Sequence, residues 1–588
     1  MNPRSFWKVV LVALVGCDSL SLATASNPSV PEQDNRRFTS ETCTNRNDNE
    51  QDGACRSASP AVDYTVARDC AVVMAHSKLS GWGIFSLVDR PKGKPLIFGD
   101  SVIQVPDLQP LEATHYWIRE YFWEATATGG HFEGKQVSSL VPGVGMLANG
   151  APSSNDNDPK AKKGVGISNV LPFRPVYDDG NVRRNQAGAG AFSHYFNYTF
   201  YVHRAIRAGQ EVLVQYEDGY FMERQLDNMH ATQETYERPV GELRSQSICL
   251  DSLRPGPSKV NENAGRGAFA TRFIRRHSVV APVPVLPIFD KFKALVTTKL
   301  RNSSKHDDGT VVEVVSKQLL WNYCFGHPKS SLLLFPYSPV VNFVNHANAN
   351  DGVANVRLQW SSHPTLFRDR EKWLSSTLDE LSKRNESGLL LELVATRDIR
   401  PGEEILLDYG IDWQTAWEEH VDRWQPPEES DSYTPAVVMD EVAGSVRTTD
   451  EQISFPYPDN VFTACFYEYD PTKFIDGKAT SKTRVRSDTW NFTRSVFDWK
   501  NLRPCSIVKR DSLPTKTYLY TVQMRNRYGL KKEERIPKGT VHLVSRVPRQ
   551  SIRFMDKLYT TDQHLEGAFR HEIGIRDDIF PSQWKDLP

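Results

Sequence analysis

The chain has 588 residues, too many for one hydrophobic core, so two to four domains are expected. Its hydrophobic content of 39% leaves ample apolar surface for soluble, packed domains. The 71 basic and 72 acidic side chains nearly cancel, which excludes the broad positive field of a nucleic-acid or anionic-membrane binder.

The chain opens like a secretory leader. Arg4 and Lys8 precede the apolar run 9–16, and Ala23-Thr24-Ala25 offers a small-residue cleavage site, so residues 1–25 are read as a signal peptide. That run is too short to span a bilayer, and no later stretch reaches the length required. The expected destination is the secretory pathway: the endoplasmic reticulum lumen, the exterior, or an organelle reached through it. Residues 26–62, rich in Ser, Asn, Asp and Thr, form a polar linker with Cys43 and Cys55 as a candidate tether. Cys17 falls in the leader, leaving Cys43, Cys55, Cys70, Cys249, Cys324, Cys465 and Cys505 to form up to three disulfides of open connectivity. None shows CxxC or CxC spacing, so no metal is expected. Sequons at Asn197, Asn302, Asn385 and Asn491 are compatible with glycosylation in a lumen.

Residues 63–235 and 249–425 say one thing twice. Gly81-Trp82-Gly83 corresponds to Gly265-Arg266-Gly267, Asn149-Gly150 to Asn345-His346, and the stretch 201–216 to 393–409. The offsets from Gly81 to Gly265, Asn149 to Asn345 and Tyr216 to Tyr409 are 184, 196 and 193, and this near constancy separates a duplication from three coincidences. Within the second copy, 389–395 and 405–408 are short β-prone runs divided by the turn signal Arg400-Pro401-Gly402. Between residues 373 and 383, Trp373, Leu374, Leu378 and Leu381 recur at near-helical spacing and predict an amphipathic helix.

Gly-x-Gly followed by Phe269, then Asn345-His346 after an apolar strand, then Asp398-Ile399 through Gly402-Glu403-Glu404-Ile405 to Asp408-Tyr409-Gly410, resembles the SET-domain protein-lysine methyltransferases. The resemblance implies a mainly β fold with short helices: a SET-type β-clip module at 249–425, preceded by a diverged SET-like copy at 63–235. In that family the C-terminal segment threads beneath an earlier loop, bringing the Asn-His strand beside the Asp-Tyr-Gly strand. It further implies S-adenosylmethionine on one face, a lysine entering from the other, and direct displacement at the sulfonium methyl. Gly265, Arg266 and Gly267 would bring backbone to the methionine part. Asn345 would lie near its amino group and His346 near the adenine. Tyr409 would aim its hydroxyl at the transferring methyl, with Trp413 and Trp417 as an aromatic wall. After Asn-His the family's Ser-Cys-x-Pro-Asn is replaced by Ala347-Asn348-Ala349-Asn350-Asp351, and no cysteine cluster follows Gly410. In the first copy Gly150 replaces the His and Gln215 the Asp, so that copy is expected to be non-catalytic.

A Pro/Glu/Ser-rich hinge at 426–436 precedes a β-rich C-terminal domain, 437–588, of unassigned role. Its β-prone runs are 461–467, 518–524 and 539–544, Cys465 and Cys505 are a candidate pair, and aromatic anchors reach Trp584. His571, between Arg570 and Glu572, reads as a surface salt-bridge residue. Two functions stand side by side: a lysine methyltransferase centred on Tyr409, and a secreted or luminal protein-binding protein on a SET scaffold that has lost chemistry. Either takes a protein as substrate or ligand. Oligomeric state is left open.

Overall fold

A computed structural model describes residues 61–106, 111, 116–124, 137–152, 166–173, 176–177, 182–216, 236–301, 311–347, 353–428, 430–470, 484–493, 495–515, 517–527, 530–557 and 559–588. The chain divides into two units, 1–59 and 60–588, and every described residue lies in the second. The leader, the linker with Cys43 and Cys55, the sequon at Asn302 and the loop from Asn348 to Asp351 fall outside the described residues.

The architecture is mostly strand with short helices, as expected. Its centre is an eight-stranded sheet built on Val279–Ile288 and Leu389–Ala395, antiparallel neighbours. All seven residues of Leu389–Ala395 are buried, and nine of ten in Val279–Ile288. Apolar runs this continuous belong in a sheet covered on both faces. Val356–Trp360, Leu406–Leu407 and Asn345–His346 extend the sheet on one side, and Leu333–Pro336 with Phe325–Gly326 on the other. The last pairing on that side is remote in sequence: Ile573–Gly574 lies parallel to Phe325–Gly326.

The stretch read as one C-terminal domain therefore divides. Residues 461–556 build a separate six-stranded sheet with its own core around Tyr520, Val522 and Val544, and it contains the Cys465–Cys505 disulfide. From residue 559 the chain returns to the eight-stranded sheet. Trp584, fully buried against Trp360 and Phe580, donates its indole N–H to the Ser376 carbonyl (2.8 Å). Glu572 is not on the surface: it accepts from Lys291 Nζ (2.5 Å) and Trp321 Nε1 (2.7 Å), a buried pair that tolerates low dielectric because both ions keep partners. Among the described residues His571 forms no salt bridge; its Nδ1 meets the Glu572 carbonyl (2.8 Å) and its backbone N–H goes to Asn322.

In the first half, Val72–His76 pairs with Trp82–Ser86 and with Ile248–Cys249, and Cys70 is disulfide-bonded to Cys249. Cys70, Cys249 and Asp251 are the one grouping among the described residues compact enough to hold a metal, and its two sulfurs are joined to each other. The single helix expected over 373–383 is two, Arg370–Ser375 and Leu378–Ser382. Thr377 breaks it by capping the second helix in a reciprocal box with Glu380. Among the described residues no helix is long and apolar enough to cross a membrane.

Beside Trp360, His363 is 2% exposed and its Nδ1 accepts from the backbone N–H groups of Thr365 and Leu366. Burial pushes the ring's pKa down from 6.5 to about 4. Between those values the unfolded chain binds a proton that the native ring refuses. This contribution is intact above pH 6.5 and is lost as pH falls toward 4, by up to about 3 kcal/mol. Denaturant unfolding at a series of pH values should show that slope in the wild type and a flatter one in His363→Gln; equal slopes would remove His363 as its source.

Candidate active site

The site is assembled around a carboxylate. Glu404, 8% exposed, accepts from Ser258 Oγ (2.7 Å), the Lys259 backbone N–H (2.8 Å) and Asn345 Nδ2 (3.3 Å). Asn345 Nδ2 also reaches the Arg266 carbonyl (2.9 Å), so the Gly-x-Gly turn and the Asn-His strand are tied to one hub. Asn355 locks the same stretch, donating to the Glu404 carbonyl (2.7 Å) and accepting from the Leu406 N–H (2.9 Å). Asn345–His346 then runs parallel to Leu406–Leu407. Tyr409 follows two residues on.

This hub accounts for the two glycines. Gly265 has a left-handed φ of 60°, and a Cβ there would sit 3.1 Å from the Phe192 ring. Gly267 lies against the Glu404 side chain, where a Cβ would overlap the carboxylate. Gly267→Ala is accordingly expected to cost about 2–3 kcal/mol by displacing the hub. A shifted urea midpoint at constant m-value would register it; an unchanged midpoint would contradict this packing.

Beyond the hub lies a cavity of about 310 Å³, small-molecule scale, bordered by Arg266, Asn345, His346, Tyr409, Trp413 and Trp417. Gly265 and Gly267 do not border it; Ala264 and Arg266 do. His346 Nδ1 lies 3.1 Å from the Tyr409 backbone N–H and accepts from it. Among the described residues its buried Nε2 has no hydrogen-bond partner. Burial holds the imidazole below its ordinary pKa, so the neutral form prevails. The Tyr409 hydroxyl donates to the Val344 carbonyl, and burial pushes its pKa up, so it stays a neutral phenol.

The helix Ile411–Arg423 starts directly after Tyr409-Gly410. It sets the Trp413 ring edge-on to Tyr409 (4.9 Å), near His346 (4.9 Å) and stacked on Trp417 (5.8 Å). The two tryptophans thus face the cavity and also pack, because Phe569 from the returning tail closes edge-on against both (5.5 and 5.1 Å). Sequence reading missed Glu404, Ser258, Tyr323, Phe192 and Phe569 as parts of the site. Only Glu404 carried a signal, as the match to Glu211.

The first half holds the same bonds. Asn149 Nδ2 donates to Glu211 (2.8 Å) and to the Trp82 carbonyl (3.2 Å), and Ser77 Oγ to Glu211 (2.9 Å). Asn169 brackets Glu211 as Asn355 brackets Glu404. Gly83 makes room for Glu211, and the Tyr216 hydroxyl donates to the Ala148 carbonyl. The difference is at Gly150: the Tyr216 ring lies within 2.8 Å of where a Cβ would stand, so the ring occupies the place that a histidine takes in the other half. Burial raises Glu211 to about 7.

Residues 265–410 match the family model of the SET domain. The chain carries a SET domain over that stretch. None of the curated proteins compared with it matches. Among solved structures, a Plasmodium falciparum protein to which histone methyltransferase activity is ascribed is 15% identical, over 28% of this chain and 96% of that one, at a TM-score of 0.16. An active, stimulated polycomb repressive complex 2 gives 18% identity over 29% of this chain and 18% of that chain, at 0.17. ATXR5 bound to a mono-methylated histone H3.1 gives 15% over 27% and 58%, at 0.16.

Proposed function

We propose that the SET module is an S-adenosylmethionine-dependent protein-lysine N-methyltransferase. The observation that carries this is the cavity where the Tyr409 phenol, the buried His346 imidazole and an aromatic wall converge. A buried ring nitrogen without a partner among the described residues calls for a polar group on a ligand, so these residues fit the cofactor. When bound, S-adenosylmethionine supplies an activated methyl on sulfur. Asn345 and His346 would hold it, with Arg266 contributing from the turn. Tyr409, whose proton is committed to Val344, offers oxygen lone pairs to the polarised methyl and to the lysine amine. The apolar surroundings disfavour an ammonium, which helps the lysine reach its nucleophilic neutral form. Calorimetry of the leaderless protein with S-adenosylmethionine tests the reading. A folded protein without measurable binding would reject it, in favour of a non-catalytic protein-binding role on the same scaffold.

The first half is read as a diverged, non-catalytic SET-like copy; the repeated Asn, Glu and Tyr bonds support this, as does the Tyr216 ring standing against Gly150. Two disulfides and the exposed sequon residues Asn197, Asn385 and Asn491 favour a secretory location. A tagged full-length protein recovered from cytosol would reject that location.

A further inference from the structure

The cavity is not walled by the SET stretch alone. Residues 191–193 of the first half border it directly. There the Phe192 ring covers Gly265, the Ser193 backbone N–H donates to the Tyr323 hydroxyl (2.7 Å), and Asn322 Nδ2 donates to the Ala191 carbonyl (2.8 Å). Three residues on, Phe196 stacks beneath the Arg266 guanidinium (3.8 Å) and edge-on to Phe343 (5.7 Å). Tyr323, Arg266 and Phe343 all line the cavity. The segment is itself anchored. Ser193 Oγ donates to the Val102 carbonyl, and nearby Arg184 and His194 both hold Asp562 of the returning tail (2.6 and 3.2 Å).

We propose that residues 191–196 are a working wall of the SET site, with Phe192 as the positioning residue that sets affinity for its small-molecule ligand. Phe192 packs against the Gly-x-Gly turn from the cavity side, and Ser193 holds Tyr323, which lines the same cavity as Tyr409. The first half thereby contributes to binding although Gly150 stands where the other half has His346. The identity of the ligand rests on the function proposed above; the wall does not.

The test uses the leaderless full chain and S-adenosylmethionine. By calorimetry Phe192→Ala should bind about 10-fold more weakly, and Phe192→Leu, which restores most of the volume, should bind within about 3-fold of wild type. Phe173→Ala, which removes a first-half aromatic that is 61% exposed and does not line the cavity, should bind like wild type. Should Phe192→Ala fail to fold, Phe196→Ala takes its place, with about 10-fold weaker binding expected and wild-type affinity overturning the wall. In parallel, amide exchange without ligand should speed up at 258–267 and 319–325 in Phe192→Ala. If wild type binds nothing, the enzyme reading falls and exchange alone judges the wall. Unchanged exchange, or wild-type affinity in the alanine variant, overturns it.

Discussion

Glu404→Ala is expected to lower the unfolding free energy by about 4 kcal/mol, the largest loss of stability anticipated for one substitution in the site. The carboxylate is buried and is the meeting point of three donors from two segments: Ser258 Oγ and the Lys259 N–H from one, Asn345 Nδ2 from the other. Truncation strands them at about 1–3 kcal/mol for each group left unsatisfied. Asn345 Nδ2 keeps two acceptors, the Arg266 carbonyl and Ser258 Oγ, so the penalties do not simply add. Glu404→Gln should cost about half as much, since it keeps one acceptor while its amide turns a donor toward donors. Equilibrium urea unfolding of both variants reads this order. A loss below about 1 kcal/mol for alanine would mean that the hub does not hold the turn and the Asn-His strand together.

What was legible in the sequence follows from range. The strand Leu389–Ala395 was read to the residue because seven consecutive buried positions leave a local signature, and Tyr518–Met524 because its buried residues Tyr520, Val522 and Met524 alternate with half-buried ones. Asn345, His346 and Tyr409 were singled out through the family resemblance alone; the structure sets Asn345–His346 parallel to Leu406–Leu407, just ahead of Tyr409. The helix break at Thr377 was written in the sequence as Thr-x-x-Glu, but Leu378 and Leu381 continue the apolar spacing across it and hid the cap. The cavity walls had no local signature. Phe192 meets Gly265 across 73 residues of chain, and Phe569 meets Trp413 across 156, so nothing in their own neighbourhoods specifies a partner. For the same reason the tail from residue 559 read as part of the preceding β domain. Its aromatic anchors signalled burial without saying against which sheet.

Tyr409→Phe carries the largest expected effect on chemistry. Turnover on a lysine-containing substrate should fall about 100- to 1000-fold, the scale set by removing one preorganised polar group from a transition state. The ring contacts survive the change: Trp413 edge-on at 4.9 Å and His346 at 5.4 Å involve the aromatic face, and the backbone N–H to His346 Nδ1 is untouched. Affinity for S-adenosylmethionine should therefore stay within about 3-fold. Loss of the donor to the Val344 carbonyl should cost about 1 kcal/mol of stability, too little to explain a lost rate. Because burial raises the phenol's pKa, Tyr409 is neutral across the working range and is not the general base. The pH dependence of the rate then belongs to deprotonation of the incoming amine, and the residual activity of the phenylalanine variant should show the same profile, displaced downward. Single-turnover assays across pH decide it. A variant as fast as wild type would leave the Tyr409 oxygen without a part in methyl transfer, and a variant that has lost cofactor affinity would make Tyr409 a binding residue instead.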